Sequence, residues 1–190
     1  MAIVLASQSP RRQELLARIG VEDFKTLSLD IDESYPEGLS PEDTVRYIAK
    51  KKCDAAAALC APDDLIITAD TMVFLGNDRL GKPRDEEDAL RMLRELAGRA
   101  HTVCTGVSVR RGAQEERFAV STRVFFRPMT DDEIRAYIKT GEPMDKAGAY
   151  GVQSRGALFV ERIDGDFFNV MGLPVEQLGL VLVRFGVKLL

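Results

Sequence analysis

The chain has 190 residues, 45% of them hydrophobic and 29% charged, with a formal net charge of −4 and a sequence pI near 5.2. Such a composition belongs to a globular protein long enough to bury a core, and its acidic balance argues against a nonspecific duplex nucleic-acid binder, which presents a basic face. Three cysteines without CxxC spacing and a single histidine argue against a zinc site of Cys/His type.

Of the cysteines Cys53, Cys60 and Cys104, the first two are expected in a helix as buried thiols in a reducing cytoplasm. No secretory leader or membrane-length apolar run is expected, because Arg11 follows the first apolar residues too closely.

Ile3-Val4-Leu5-Ala6 reads as a short buried strand. Ser9-Pro10 then reads as a helix start, with Ser9 as N-cap and Pro10 at the first helical position. This helix should run through Leu15, Leu16 and Ile19 to Gly20. Two hydroxyls, Ser7 and Ser9, and two guanidinium groups, Arg11 and Arg12, meet at its mouth. Cations at a helix N-terminus are unfavourable unless an anion offsets them, which points to phosphate. Spacing alone leaves a second reading open, in which both arginines are solvated.

Phe24 to Ile31 reads as a strand, ending in an acidic loop with Asp30, Asp32 and Glu33. Ser40-Pro41 opens a second helix, whose apolar stripe is Val45, Ile48, Ala49, Ala56 and Leu59. Lys52 falls within that stripe, whereas Lys50 and Lys51 point elsewhere. A buried ammonium needs a partner; the alternative is that Lys52 snorkels to the surface. Leu65 to Thr68 forms a β-branched strand that resumes at Met72 to Leu75. Asp70 interrupts it, an expensive placement unless the carboxylate is paired or binds metal, or caps a strand end. Gly76-Asn77-Asp78 supplies a turn, after which Lys82 returns toward Asp70.

Asp85, with Asp88 at N3, starts a third helix ending at Gly98. His101 to Arg110 and Glu116 to Arg127 alternate at period two around Arg111-Gly112 and predict a hairpin, with Phe118, Val120, Thr122, Val124 and Phe126 on one face. His101 reads as structural. Thr130 with Glu133 forms a capping box for a helix through Ile134, Tyr137 and Ile138. Asp145 to Gly156 is a glycine-rich loop, Leu158 to Ile163 a strand, and Pro174 the start of a last helix burying Val175, Leu178, Leu182 and Phe185. Interleaved strands and helices with some hairpins predict an α/β fold with a mixed sheet.

Six segments resemble those of the Maf family of nucleotide pyrophosphatases, once described as septum-formation inhibitors, and occur in that family's order. They are LASQSPRRQELL (5–16), ITADT (67–71), LGKP (80–83), HTVCTGV (101–107), DKAGAYGVQ (145–153) and NVMGLP (169–174). The resemblance implies an elongated mixed β-sheet with flanking helices, two lobes around a cleft, related to inosine triphosphatases. Residues 1–190 would form one Maf-like domain whose two lobes share the sheet.

It also implies a reaction: a nucleoside triphosphate plus water gives the monophosphate and pyrophosphate by attack at the α-phosphorus. Arg12, Glu33, Lys52, Asp70 and Lys82 would be the catalytic set, with Ser7, Ser9 and Arg12 on phosphate. Glu33 and Asp70 would hold a divalent metal, Mg²⁺ or Mn²⁺ by the hardness of their oxygens. The choice of Glu33 rests on the resemblance, because local sequence does not separate it from Asp32. Cations with carboxylates suit metal-assisted phosphoryl chemistry, and no serine or cysteine has a histidine base other than distant His101.

Arg11, Thr71 and Gln153 resemble the branch acting on dTTP and UTP; a second branch, acting on 7-methyl-GTP, carries an aromatic, a Gln and a Glu there. The chain departs from the family pattern at Ser154, where glycine commonly follows. The expected partner is a pyrimidine nucleoside triphosphate, with no duplex nucleic acid and no membrane. A homodimer, a cell-division partner and a non-enzymatic role in septum formation are left open.

Overall fold

The computed structural model describes residues 2–190. Seven strands form one mixed sheet among the described residues: β1 (Ile3–Leu5), β2 (Phe24–Thr26), β3 (Leu65–Leu75), β4 (Asp78–Leu80), β5 (Ala100–Arg111), β6 (Gln114–Phe126) and β7 (Val160–Asp164). Their order is β2-β1-β3-β5-β6-β7, with β4 on β3. β1 is parallel to β2 and β3, whereas β4 and β7 run antiparallel to β3 and β6. The helices are α1 (Pro10–Arg18), α2 (Pro41–Ala57), α3 (Glu86–Leu96), α4 (Asp131–Ile138), α5 (Phe167–Met171) and α6 (Val175–Arg184). The expected α/β class with a mixed sheet is therefore observed, and no described helix is long and apolar enough to cross a membrane.

Two compact units divide the chain, one comprising residues 1–70, 105–120 and 172–190, the other residues 71–104 and 121–171. In the first, Leu5, Leu15, Leu16, Val45, Ile48, Leu65, Ile67 and Leu182 are buried. Ser40 caps α2 by accepting a bond from the Asp43 amide (3.1 Å). Three features of this unit differ from expectation. Strand pairing stops at Thr26, although Leu27 N still donates to Leu5 O (3.0 Å). The reason lies in β1, which turns away after Leu5 as Ser7 N bonds back to Leu5 O (2.9 Å) and leaves no partner. Leu27 and Leu29 instead pack on the cluster of Ala6, Cys53, Ala56 and Ile66, so their alternation reflects burial without pairing. Leu59 lies beyond α2 and is exposed, and Cys60, expected buried within the helix, follows it and is only half-buried.

In the second unit, the turn at Gly76-Asn77 joins β3 and β4, with Leu75 opposite Asp78 and Gly76 at φ +62°. Only glycine adopts that backbone region without penalty. The Asp85 side chain caps α3, and the full Thr130–Glu133 capping box opens α4. His101 is buried, with its Nε2 2.8 Å from the Tyr150 hydroxyl and its ring edge-on to Phe126 and Tyr150. Burial pushes it down to about 4, so it is neutral at physiological pH. The short helix α5 carries no sequence signal of its own. Its Asn169 amide reaches the Val103 carbonyl (3.0 Å) and Thr122 Oγ1 (2.9 Å).

Candidate active site

Ser7, Ser9, Arg11, Arg12, Glu33, Lys52 and Asp70 all belong to the first unit. The β1–α1 junction is organised by Ser7 rather than by the expected Ser9 cap. Ser9 is at the N-cap position but its side chain makes no capping bond; the Ser9 amide donates to Ser7 Oγ (3.2 Å). Arg12 Nη1 also reaches Ser7 Oγ (3.4 Å), and Arg12 Nε donates to the Gly172 carbonyl (2.8 Å). The NVMGLP segment thereby anchors Arg12, a link that no local pattern reveals. Gly172 has φ +114°, a backbone region that disfavours a side chain. Burial pushes the Arg12 guanidinium below its ordinary range, opposed by Asp70, reinforced by Arg11 and opposed again by Glu33. These three charges therefore all act on Arg12.

Asp70 sits within β3, which continues unbroken from Leu65 to Leu75. It neither interrupts the strand nor caps its end. Its side chain is only 9% exposed. One oxygen, Oδ1, accepts from Lys52 Nζ at 2.7 Å. The other, Oδ2, is buried and has no hydrogen-bond partner among the described residues. The same Lys52 ammonium lies 2.8 Å from Glu33 Oε1.

The three neighbouring lysines separate as their helical positions predict. Lys50 pairs with Asp54 along α2, and Lys51 with Asp32 (3.2 Å). Lys52, 14% exposed against 37% and 35% for its neighbours, turns to Asp70. The acids also separate: hydrogen bonds, first from Ser34 and then from Lys51, hold Asp32 down to about 2, whereas Glu33 shares Lys52 with Asp70.

Two residues outside the predicted set place α2 over β3. Thr68 Oγ1 donates to the Ala49 carbonyl at 2.7 Å, with both groups buried. Thr68 shares a strand face with Asp70, and Lys52 follows Ala49 by three residues, so this bond brings the lysine over the carboxylate. Gly106 in β5 supplies the room: a Cβ there would lie 2.3 Å from Val45 C and 2.4 Å from Val45 O. Thr68 looked like an ordinary β-branched strand residue, and nothing local marks Gly106 as a contact.

Thr71, Lys82 and Gln153 belong to the second unit. Thr71 is half-buried in β3, directly after Asp70; Lys82 is exposed beyond β4; Gln153 is exposed in the glycine-rich loop. Among the described residues, no three Asp, Glu, His or Cys side chains are grouped to hold a metal ion. Glu33 and Asp70 form a two-carboxylate set. The orphaned Asp70 Oδ2 fits a hard cation of the kind that takes one or two carboxylates and completes its shell with water and substrate phosphates.

The Maf-like protein family matches residues 2–185. A dTTP/UTP pyrophosphatase of Bacillus velezensis is 46% identical over 98% of this chain and 97% of its own. Another, of Pelotomaculum thermopropionicum, is 46% identical over 99% and 98%. The solved structure of a HAM1 protein from Coxiella burnetii shares the fold, with TM-score 0.56 and 13% identity over 97% of this chain and 99% of that one. With the family matched along nearly its whole length, this chain belongs to the Maf-like proteins.

Proposed function

We propose that the protein hydrolyses dTTP and UTP to the monophosphate and pyrophosphate, water attacking the α-phosphorus and the bond to the bridging α–β oxygen breaking. The observation that carries this reading is the Asp70 carboxylate, with one oxygen on Lys52 and the other buried without a partner. A buried acceptor held in this way is disfavoured until a donor or cation reaches it. It therefore suits the orientation and deprotonation of an attacking water, or the binding of a metal ion. Relatives at 46% identity over nearly the whole chain are named dTTP/UTP pyrophosphatase.

Each residue then has a chemical task. Arg12, held by Ser7 and the Gly172 carbonyl, presents its guanidinium to phosphate oxygens, and the amides at the α1 N-terminus add donors. Lys52 holds Asp70 and Glu33 in place and contributes positive charge as negative charge develops on the phosphates. Lys82, in the LGKP segment, is assigned the same charge-stabilising role by its likeness to the family motif. Arg11, Thr71 and Gln153 select the base. A divalent ion, Mg²⁺ or Mn²⁺, belongs at Glu33 and Asp70 and supplies Lewis-acid polarisation of phosphate oxygens and acidification of water.

A pyrophosphate-release assay over common and modified nucleoside triphosphates, with and without Mg²⁺, tests the reading. Release from dTTP and UTP that depends on the metal is expected. Faster turnover of 7-methyl-GTP overturns the choice of base, and no release from any nucleotide by folded protein overturns the reaction.

A further inference from the structure

The loop that carries Gln153 hangs from one carboxylate. Glu142 opens the 3₁₀ turn Glu142–Asp145 after α4 and lies outside every segment that resembles the family motifs. Its Oε1 accepts from the Tyr137 hydroxyl (2.8 Å), Ser154 Oγ (2.7 Å) and the Gly156 amide (3.1 Å), while Oε2 accepts from the Arg155 amide (3.2 Å). Tyr137 Oη, which donates its O–H to Glu142, in turn accepts from the Gly151 amide (3.1 Å). The carboxylate thus reaches both ends of the stretch from Gly151 to Gly156, directly at one end and through Tyr137 at the other.

The packing inside this stretch leaves little slack. A Cβ at Gly156 would stand 2.6 Å from Gly151 O and 2.8 Å from Tyr137 Oη; one at Gly151 would stand 2.9 Å from Lys146 Cε. Burial alone would raise the Glu142 carboxyl, but the bonds from Ser154, Tyr137, Gly156 and Arg155 outweigh it and bring the group below its ordinary range. Ser154, the departure from the family pattern, supplies one of those bonds.

We infer that Glu142 is a positioning residue for base recognition: its ionised carboxylate fixes the Gly151–Gly156 turn and with it the place from which Gln153 meets the nucleobase. The inference rests on the reading of Gln153 as a base-selecting residue. Uracil and thymine offer an N3–H donor beside the O4 acceptor, and cytosine offers the reverse pair. A glutamine amide carries both a donor and an acceptor, so which base it accepts depends on where it is held. A carboxylate only accepts, which suits four donors. An amide in its place would turn an NH₂ toward a donor such as Arg155 N–H, leaving the turn without its anchor.

The test compares Glu142→Gln, Ser154→Ala and Gln153→Ala with the unaltered protein, measuring kcat and KM for UTP and CTP together with Tm. Glu142→Gln is expected to raise KM for UTP more than it lowers kcat. It should cut the UTP-to-CTP ratio of kcat/KM by about tenfold, the equivalent of one charge-assisted hydrogen bond. Gln153→Ala should shift the ratio in the same direction, and the double variant should fall short of the sum, as it does for coupled residues. A folded Glu142→Gln protein with an unchanged ratio, or with equal losses for both nucleotides, overturns the inference. If Glu142→Gln does not fold, Ser154→Ala decides: a smaller shift in the same direction supports the inference, and an unchanged ratio overturns it. An unshifted ratio in Gln153→Ala overturns the underlying reading as well. A shift there beside none in Glu142→Gln overturns only the role of Glu142.

Discussion

Lys52 and Asp70 carry opposite charges on a site that is mostly shielded from water, and each needs the other. Truncating Lys52 removes the ammonium from both carboxylates, leaving two anions near each other and one positive charge fewer for the phosphates. Lys52→Ala is therefore expected to lower kcat by about 10²–10³. Lys50→Ala and Lys51→Ala, which lose only exposed pairs worth a fraction of a kcal/mol, should stay near the unaltered rate. Equal small losses in all three variants would show that the orientation of α2 does not matter to turnover. Asp70→Asn tests the partner. The amide keeps the shape but neither accepts a proton at neutral pH nor binds Mg²⁺ well, so turnover should fall by roughly 10² or more. Lys52 retains Glu33, so Tm should move by no more than about 4 °C. Near-normal turnover with a sharply lowered Tm would make Asp70 a structural residue.

At the scale of elements, the site depends on how closely α2 lies on the sheet. Gly106→Ala sets a methyl carbon against the Val45 backbone at 2.3 Å, and backbone cannot rotate aside as a side chain can. The helix must lift, taking Lys52 with it. We expect a loss of about 1–3 kcal/mol in denaturant unfolding and a fall in kcat that the distance from the chemistry alone would not predict. Thr68→Val keeps the strand's shape but leaves the buried Ala49 carbonyl without its hydroxyl donor. About 1 kcal/mol of stability should go with it, and an unchanged unfolding midpoint would show that this bond does not hold the helix.

Sequence made much of this legible. The stripe on α2 singled out Lys52, the acid in an apolar strand singled out Asp70, and capping residues placed the starts of α2, α3 and α4. What it hid were relations between distant segments: Gly106 beneath Val45, the Gly172 carbonyl on Arg12, and Thr68 on Ala49. Periodicity reports which face is buried, and only the fold reports against what. For the same reason Phe24 to Ile31 read as a full strand. Leu27 and Leu29 are half-buried against Ala6, Cys53, Ala56 and Ile66, but β1 has already turned away from them. Ser9 holds the N-cap position ahead of Pro10 as its sequence suggests, but its side chain makes no capping bond, and its amide donates to Ser7 Oγ instead.

At the scale of the molecule, His101 gives the protein an acid-sensitive stability. Its folded pKa of about 4 lies below the ordinary 6.5, so on acidification the unfolded chain takes up the proton first. The stability from keeping the ring neutral is whole above pH 6.5 and is lost progressively down to about 4, roughly 3 kcal/mol in all. His101→Phe removes this term along with the bond to Tyr150. The variant should be less stable than the original at pH 7.5, and the gap should narrow as pH falls to 4.5. Parallel stability curves would mean that His101 does not take part in the acid transition.

The order of the strands has a further consequence, for solubility. The two longest, β5 and β6, lie inside the sheet, and its outer strands are the three-residue β2 and β4 and the five-residue β7. β7 reads Val160-Glu161-Arg162-Ile163-Asp164, with Arg162 laid over the Phe125 ring of the neighbouring strand at 3.9 Å. A short edge studded with charge offers a poor template for another chain's strand. Replacing Glu161, Arg162 and Asp164 together by valine would make it a continuous apolar β-branched edge of the kind that seeds intermolecular pairing. Light scattering during a slow heating ramp should then rise before the unfolding transition, while the parent protein stays clear to its Tm.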